Sequence, residues 1–205
     1  VDLKITVKEK STGQLQASIG ASPNSGSGGK IAVFGNINYQ EKNFLGRGYS
    51  LGANLQMSPS QEKSGKLNYS LGLNFYNPSI QNGPWSFGTG VSYSYQIEPT
   101  TDSNVTDDFY IVQKNSAFNL SIGREIIDHL RFTLGYGISN YITSPSSPLT
   151  ARYYQSGKSE EVSQSLTYDQ SDDQLNPTSG YYLNVTNTIG VKALYGQYSY
   201  GTLSG

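Results

Sequence analysis

The stretch LNYSLGLNF, at Leu67–Phe75, alternates between two kinds of side chain. Its odd-numbered residues are Leu, Tyr, Leu, Leu and Phe, whereas its even-numbered residues are Asn, Ser, Gly and Asn. Successive side chains of a β-strand point to opposite faces of a sheet, so a period of two predicts a strand. One face of this strand is apolar and the other carries small, uncharged polar groups.

The same alternation extends to both sides of this stretch. Apolar residues occupy odd positions in five predicted strands, at residues 14–21, 31–39, 49–57, 67–75 and 85–97. After a polar loop from Glu98 to about Phe109, the parity switches in the strands predicted at residues 118–122 and 130–138. Further strands are predicted at residues 162–168 and 181–189, with a tenth beginning at 195–200. No long 3.6-residue period occurs, so the pattern predicts an all-β antiparallel meander.

The connections between these strands are predicted to be of two kinds. Short turns are expected near Asn43–Gly46, Asn77–Pro84, Glu125–Asp128 and Asn176–Gly180. In the last of them, Pro177 presets one turn angle and Gly180 is free to adopt a positive φ. A second long loop is expected from Thr143 to about Gly157, because Pro145 and Pro148 do not fit a central strand. Short turns on one side and longer loops on the other are typical of membrane barrels.

The composition indicates where such a sheet resides. Only 14% of the 205 residues are charged, whereas a soluble domain carries about 25%, and the chain has 17 Tyr and 23 Gly. An uncharged polar face suits a hydrated lumen, and an apolar face suits lipid, so we expect a transmembrane β-barrel. The aromatic residues near strand ends are expected to form girdles at the membrane interfaces; they are Tyr39, Phe44, Tyr49, Phe75, Tyr76, Trp85, Tyr95, Tyr141, Tyr181 and Tyr182. A soluble β domain is the alternative, which solubility without detergent would favour.

Several other classes of protein are not indicated. No run of 18 apolar residues predicts a membrane helix, and no signal peptide opens the chain. The net charge of −1 makes no electrostatic case for nucleic acid as a partner. The absence of cysteine excludes disulfides and cysteine-based zinc sites, and we expect no cofactor.

The residues that could carry chemistry are few. His129 is the only histidine and has no nucleophile at a recognisable spacing, so we interpret it as a turn residue and expect no enzyme. Two acidic groups lack the spacing of a calcium loop and are interpreted as solvated loop charge; they are Asp102, Asp107 and Asp108, and Asp169, Asp172 and Asp173. No metal site is predicted.

Three segments resemble the BamA family of outer-membrane insertases. VDLKITVKEKSTG, at Val1–Gly13, resembles the end of the last periplasmic POTRA domain and its junction to the barrel. NINYQEKNFLGRG, at Asn36–Gly48, resembles the family's turn after the second strand, and DQSDDQLNPTSGYYLNV, at Asp169–Val185, resembles the turn before the ninth. On this resemblance residues 1–10 end a POTRA domain, and residues 11–205 form the N-terminal part of the barrel.

The resemblance implies a sixteen-strand barrel, of which nine to ten strands lie here. The remainder of the barrel, or another chain, is then needed to close it, because open sheet edges are not stable in lipid. It also implies a protein that folds and inserts β-barrel proteins, without a chemical reaction, in a bacterial or an organellar outer membrane. The implied partners are the lipid bilayer, unfolded outer-membrane proteins and accessory lipoproteins. The alternative is an outer-membrane pore or a two-partner secretion transporter built on the related barrel.

In the family that this chain resembles, the first and last strands form a weak seam that opens laterally to pair with an incoming strand. The corresponding seam strand here consists of Gln14, Leu15, Gln16, Ala17, Ser18, Ile19, Gly20 and Ala21. Small side chains at Ser18, Gly20 and Ala21 offer little packing, and SPNSGSGG, at Ser22–Gly29, is predicted to be a flexible loop. This strand is the functional segment that the sequence predicts.

Overall fold

A computed structural model describes residues 12–23, 31–60, 66–99, 110–145, 156–171, 179–192 and 200–204. These residues form one antiparallel sheet in which every strand pairs with its neighbours in sequence. The strands are β1 (Gly13–Pro23), β2 (Ile31–Phe44), β3 (Tyr49–Pro59), β4 (Leu67–Asn77), β5 (Trp85–Pro99), β6 (Tyr110–Ile127), β7 (Leu130–Pro145), β8 (Gly157–Asp169), β9 (Tyr182–Gly190) and β10 (Tyr200–Ser204). The predicted meander is confirmed. Residues 1–10, the expected end of a POTRA domain, lie outside the described residues.

Helical structure is minor in the part of the chain that the structure describes. A 3-10 turn at Ile80–Asn82 lies in the predicted connection between β4 and β5. No helix among the described residues is long and apolar enough to cross a membrane. The sheet therefore defines the fold.

Some predicted boundaries were wrong. The turn expected at Glu125–Asp128 is shorter, because β6 runs to Ile127 and a register shift after Glu125 absorbs the extra residue. The long loop expected from Thr143 begins later, since β7 continues to Pro145, which pairs with Ile111. The start expected for the tenth strand at Tyr195 falls outside the described residues, which place β10 from Tyr200.

Proline marks one rim of the sheet. The strands β1, β3, β5 and β7 end at Pro23, Pro59, Pro99 and Pro145, respectively. Proline has no backbone N–H to donate, so it is tolerated at the end of a strand better than in its middle, where a ladder hydrogen bond would be lost. We call this edge the proline rim. Two connections at the other rim are short, at residues 45–48 and 128–129, whereas residues 170–181 separate β8 from β9, close to the interval between the predicted strands.

The strand register gathers the apolar residues of all strands onto one face. Leu73 of β4 pairs with Val91 of β5, and Val91 pairs with Phe118 of β6. The pairing of Val91 with Phe118 thus places the odd positions of β5 and the even positions of β6 on the same face. The apolar residues form a continuous apolar face, and the other side is a polar face on which Ser70 pairs with Ser94.

Glycines on the polar face lie beneath the side chains of their cross-strand partners. Asn54 pairs with Gly72, and a Cβ added at residue 72 would lie 2.2 Å from Asn54 Oδ1. Asn74 covers Gly52 in the same way, at 2.3 Å. Amide side chains therefore occupy the space that a residue larger than glycine would need. This pairing explains much of the Gly and Asn content of these strands.

One side-chain contact shows the direction in which the sheet curves. On the polar face, Arg131 of β7 donates a hydrogen bond to the Tyr76 hydroxyl of β4 at 2.6 Å. These strands are three positions apart, or about 14 Å at the usual strand spacing. Side chains that stand perpendicular to a flat sheet would not meet over that distance. The sheet is therefore concave on its polar face, as the predicted barrel requires.

Little of the apolar surface is buried. Ile97 and Ile111, which are 4% and 2% exposed, are the buried large apolar side chains among the described residues. Leu73, in the middle of β4, is 57% exposed although it lies in the interior of the sheet. A soluble barrel or sandwich would bury such residues against each other. This sheet instead presents its apolar face outward.

The backbone at Gly180 generates a stability prediction. Its φ is +115°, as anticipated, and an added Cβ would lie 2.2 Å from the Gln170 carbonyl oxygen. We expect Gly180→Ala to lower the free energy of unfolding by about 1–3 kcal/mol, measured by denaturant titration of the full-length protein in detergent. Gly201→Ala is the control, because open space surrounds Gly201. Equal stability of the two variants would contradict the prediction.

Candidate functional site: an apolar face and a free strand edge

The apolar face is exposed over the breadth of the sheet. Its exposed large residues include Leu15, Ile19, Val33, Ile37, Met57, Leu71, Leu73, Val91, Phe118, Ile122, Leu134, Leu166, Val185, Ile189 and Leu203. Soluble monomers rarely expose a contiguous apolar surface of this extent, which marks a membrane or protein contact.

Aromatic side chains border this face near both rims. Tyr69 stacks on Tyr95 at a centroid distance of 5.4 Å near the proline rim, and lies 6.0 Å from Tyr93. Tyr49 contacts Phe75 edge-on at 5.5 Å near the opposite rim. Such borders are typical of membrane interfaces, where one end of an aromatic residue meets lipid and the other meets water.

The expected girdle was wrong in part. The register places Tyr76, Tyr141 and Tyr182 on the polar face, opposite Gly88, Asn115 and Asp169, respectively. These residues occupy the positions that alternate with the lipid-facing residues, so their location near strand ends did not identify the face on which they lie. Trp85 does border the apolar face, and the Arg124 guanidinium lies 5.1 Å from its ring centroid. That cation–π contact keeps a charge at the rim.

Two amides interrupt the apolar face. Gln164 of β8 pairs with Asn187 of β9, and Leu134 and Leu203 are their outer neighbours on β7 and β10. In lipid an amide without full hydrogen bonding costs free energy. The polar interruption at Gln164 is visible in the sequence, because Gln164 occupies one of the alternating apolar positions of β8.

The predicted seam residues, Gln14 to Ala21, all lie in β1. This strand pairs with β2 from Gly13 opposite Glu41 to Pro23 opposite Ile31. Its other edge has no partner strand among the described residues, and β1 is the first strand of the sheet. Leu15 and Ile19 are 72% and 86% exposed. Within the described sheet, the outer edge of Gln14–Ala21 therefore presents backbone N–H and C=O groups that no second strand pairs, beside the apolar face.

The two faces of β1 are packed differently. On the polar face the ring of Phe34 covers Gly20, so that an added Cβ would lie 2.3 Å from Phe34 Cζ. The weak packing predicted at Gly20 is thus offset by an aromatic neighbour on β2. No feature of β1 alone could reveal this, because the contact depends on the cross-strand register.

The start of β1 is tied to the β2–β3 turn. Thr12 Oγ1 donates a hydrogen bond to the Glu41 carboxylate, which also accepts the Asn43 backbone N–H at 2.9 Å. Asn43 Oδ1 in turn accepts the Gly48 N–H at 2.7 Å. These bonds fix one end of β1 while its outer edge stays unpaired in the described structure.

The candidate residues for chemistry have structural roles. His129 lies in the β6–β7 turn, and its Nδ1 is 3.0 Å from the Asp169 carbonyl oxygen. The Asp169 N–H donates to the His129 carbonyl oxygen at 2.9 Å, which ties two turns together. Asp169 also accepts the Ser171 N–H at 3.1 Å. No metal-binding group of three His, Asp or Glu residues occurs among the described residues. The remaining acidic candidates lie outside them; they are Asp102, Asp107, Asp108, Asp172 and Asp173.

An antiparallel meander with an outward apolar face, aromatic borders and a concave polar face defines a transmembrane β-barrel protein. The Omp85 superfamily domain is matched over residues 43–205, and the chain belongs to this superfamily. Its apolar face is therefore the surface that contacts the bacterial outer membrane.

Two relatives agree with this assignment. The chain is 29% identical, over 194 residues and 93% of its length, to the "Outer membrane protein assembly factor BamA" of Nitratidesulfovibrio vulgaris, of which the match covers 22%. The crystal structure of BamA from Haemophilus ducreyi lacking POTRA domains 1–3 superposes with a TM-score of 0.56 at 19% identity, covering 90% of this chain and 35% of that one. The chain thus spans about a fifth of the curated relative and a third of the solved one, and the superposition confirms the fold.

The amide pair on the lipid face leads to a second prediction. We expect Gln164→Leu to raise the free energy of unfolding in lipid vesicles by about 1–3 kcal/mol, because an amide is removed from the middle of the apolar band. Urea unfolding of the full-length protein would measure it. The reverse exchange two residues away, Leu166→Gln, should be destabilising. If neither exchange changes the stability, residues 164 and 166 do not face lipid.

Proposed function

We propose that this protein folds and inserts β-barrel proteins into the bacterial outer membrane by pairing the free edge of β1 with an incoming strand. The observation that carries the proposal is the position of β1, which is paired with β2 on one side only within the described sheet and borders the lipid face. The name of the 29% identical relative, an assembly factor of outer-membrane proteins, supports it.

The driving force is backbone hydrogen bonding. A backbone N–H or C=O group that stays unpaired in the membrane core costs several kcal/mol. The edge of β1 and the edge of an unfolded substrate strand carry the same groups, so pairing removes the cost for both. Strand addition of this kind needs no side-chain chemistry, and the proposed activity accordingly includes no chemical reaction.

The geometry of β1 suits repeated pairing and release. The Thr12 and Glu41 bonds hold its start, and the ladder to β2 holds its inner edge. The outer edge therefore exchanges partners without loss of the strand. Leu15 and Ile19 have few protein neighbours on the lipid face, so little packing has to be broken when a partner leaves.

The proposal extends to parts that this chain does not span. Residues 1–10 are assigned to the end of a periplasmic POTRA domain, and further strands close the barrel against β1. The proposed partners are unfolded outer-membrane proteins, the lipid bilayer and accessory lipoproteins. Because the chain covers 22% of the curated relative, each of these assignments requires the full-length protein.

A reversible lock tests the seam. In the full-length protein, a cysteine at Ser18 is combined with cysteines placed one at a time along the closing strand. We expect the pair that forms a disulfide to lower the rate of substrate insertion into vesicles at least about tenfold, and reduction to restore it. These 205 residues contain no other cysteine to interfere.

The matched control is a lock away from the seam. Gln56 and Ser70 are direct partners on β3 and β4, so cysteines there should form a disulfide that leaves insertion unchanged. Normal insertion by the seam-locked protein would overturn the proposal. A steady ion conductance that persists in the locked protein, together with normal insertion, would favour a pore or a secretion transporter instead.

A further inference from the structure

A furrow lies on the apolar face beside the free edge. It has a volume of about 520 Å³ and spans β1, β2 and β3. Its lining residues are Ala17, Ser18, Ile19, Gly35, Asn36, Ile37, Leu55 and Met57. Gly35 forms the floor, because a Cβ added there would meet no atom within 4 Å. Its cross-strand neighbours, Ile19 and Met57, form the two walls.

The chemistry of the lining selects a hydrocarbon. Ala17, Ile37 and Leu55 share the apolar face with the floor and the walls. Ser18 and Asn36 alternate with these residues, so their side chains belong to the polar face. A polar ligand group would lose its hydrogen bonds with water and gain none from these side chains.

The position of the furrow across the membrane indicates from which end its occupant enters. Met57 pairs with Tyr69, and Tyr69 pairs with Tyr95, whose stacked rings border the apolar face near the proline rim. Tyrosines at such borders mark the level of lipid head groups. The furrow thus begins at the head-group level near Met57 and continues toward Leu55 and Ile37, away from that rim.

We propose that this furrow binds one acyl chain of a membrane lipid whose head group lies beside Tyr69. The furrow opens on the face that contacts the outer membrane, so acyl chains are the apolar molecules present there. An incoming strand paired with β1 would first meet Leu15, Ala17 and Ile19, whereas Gly35 lies one strand, or about 4.8 Å, further on. The bound chain packs against Ile19, the most exposed large apolar residue of β1.

This inference goes beyond the proposed function and does not depend on it. Lipid binding in the furrow requires only that the apolar face contacts lipid. If it is correct, the lipid side of the β1 edge strand is completed by lipid rather than by protein.

Photolabelling tests the proposal. The full-length protein is reconstituted in phosphatidylethanolamine vesicles that contain a phospholipid with a diazirine on its acyl chain, and labelled residues are mapped by mass spectrometry. We expect labelling to concentrate on Ile37, Leu55 and Met57. Gly35→Leu fills the floor and should lower the labelling there about tenfold.

The matched control is Gly201→Leu, which adds the same side chain to open space on the same face at β10. It should leave the labelling unchanged. Leu55→Phe is a second filling variant, and heat-modifiable migration on gels verifies that each variant is folded. A lowered signal in both filling variants supports the proposal.

Two results would overturn it. One is labelling that is uniform over the apolar face and unaffected by Gly35→Leu. The other is obtained with a photoreactive residue at position 57 that crosslinks to a substrate polypeptide. If Gly35→Leu abolishes this crosslink while acyl labelling persists, the furrow binds the substrate and not a lipid. The seam lock reports on insertion alone, so its outcome is separate from both.

Discussion

Backbone hydrogen bonding between every pair of neighbouring strands is the constraint on which the rest of this structure depends. A slip of one residue would move the apolar residues of a strand to the other face. The register absorbs the switch from odd to even positions after β5, where Val91 pairs with Phe118. This pairing keeps one face of the sheet apolar, as contact with lipid requires, and the other face polar. The same constraint makes an unpaired edge costly in lipid, and the proposed function of β1 follows from that cost.

The two faces solve different packing problems. On the concave polar face, amides and hydroxyls lie over glycines, as Asn54 does over Gly72. The missing side chains of the glycines leave room for these polar groups on the crowded inner surface. On the apolar face lipid replaces protein as the packing partner, and gaps such as the one above Gly35 are tolerated because acyl chains fill them. Gln164 and Asn187 fit neither description, because they are polar side chains on the apolar face.

Prediction from the sequence was accurate for strands and less so for their ends. Period two located β1 to β9, because alternation is a local property of a few residues, whereas the start expected for β10 lies outside the described residues. The boundaries at Ile127 and Pro145 were missed, since pairing continues past the bulge after Glu125 and since proline is tolerated as the last paired residue of a strand. Tyr76 and Tyr141 were assigned to a girdle by their position near strand ends, but the side of the sheet depends on parity. The eight seam residues lie in one edge strand, and their pairing role remains a proposal.

The sequence by itself determined the strand positions, the two-faced character of the sheet and the family resemblance, because each depends on residues close together in the chain. Only the tertiary structure decided which residues meet across strands. Phe34 covers Gly20, Arg131 reaches Tyr76, and Ile19 and Met57 enclose Gly35. The partners in these contacts are 14 to 55 residues apart in sequence, and the strand register that brings them together depends on the turns and bulges between them.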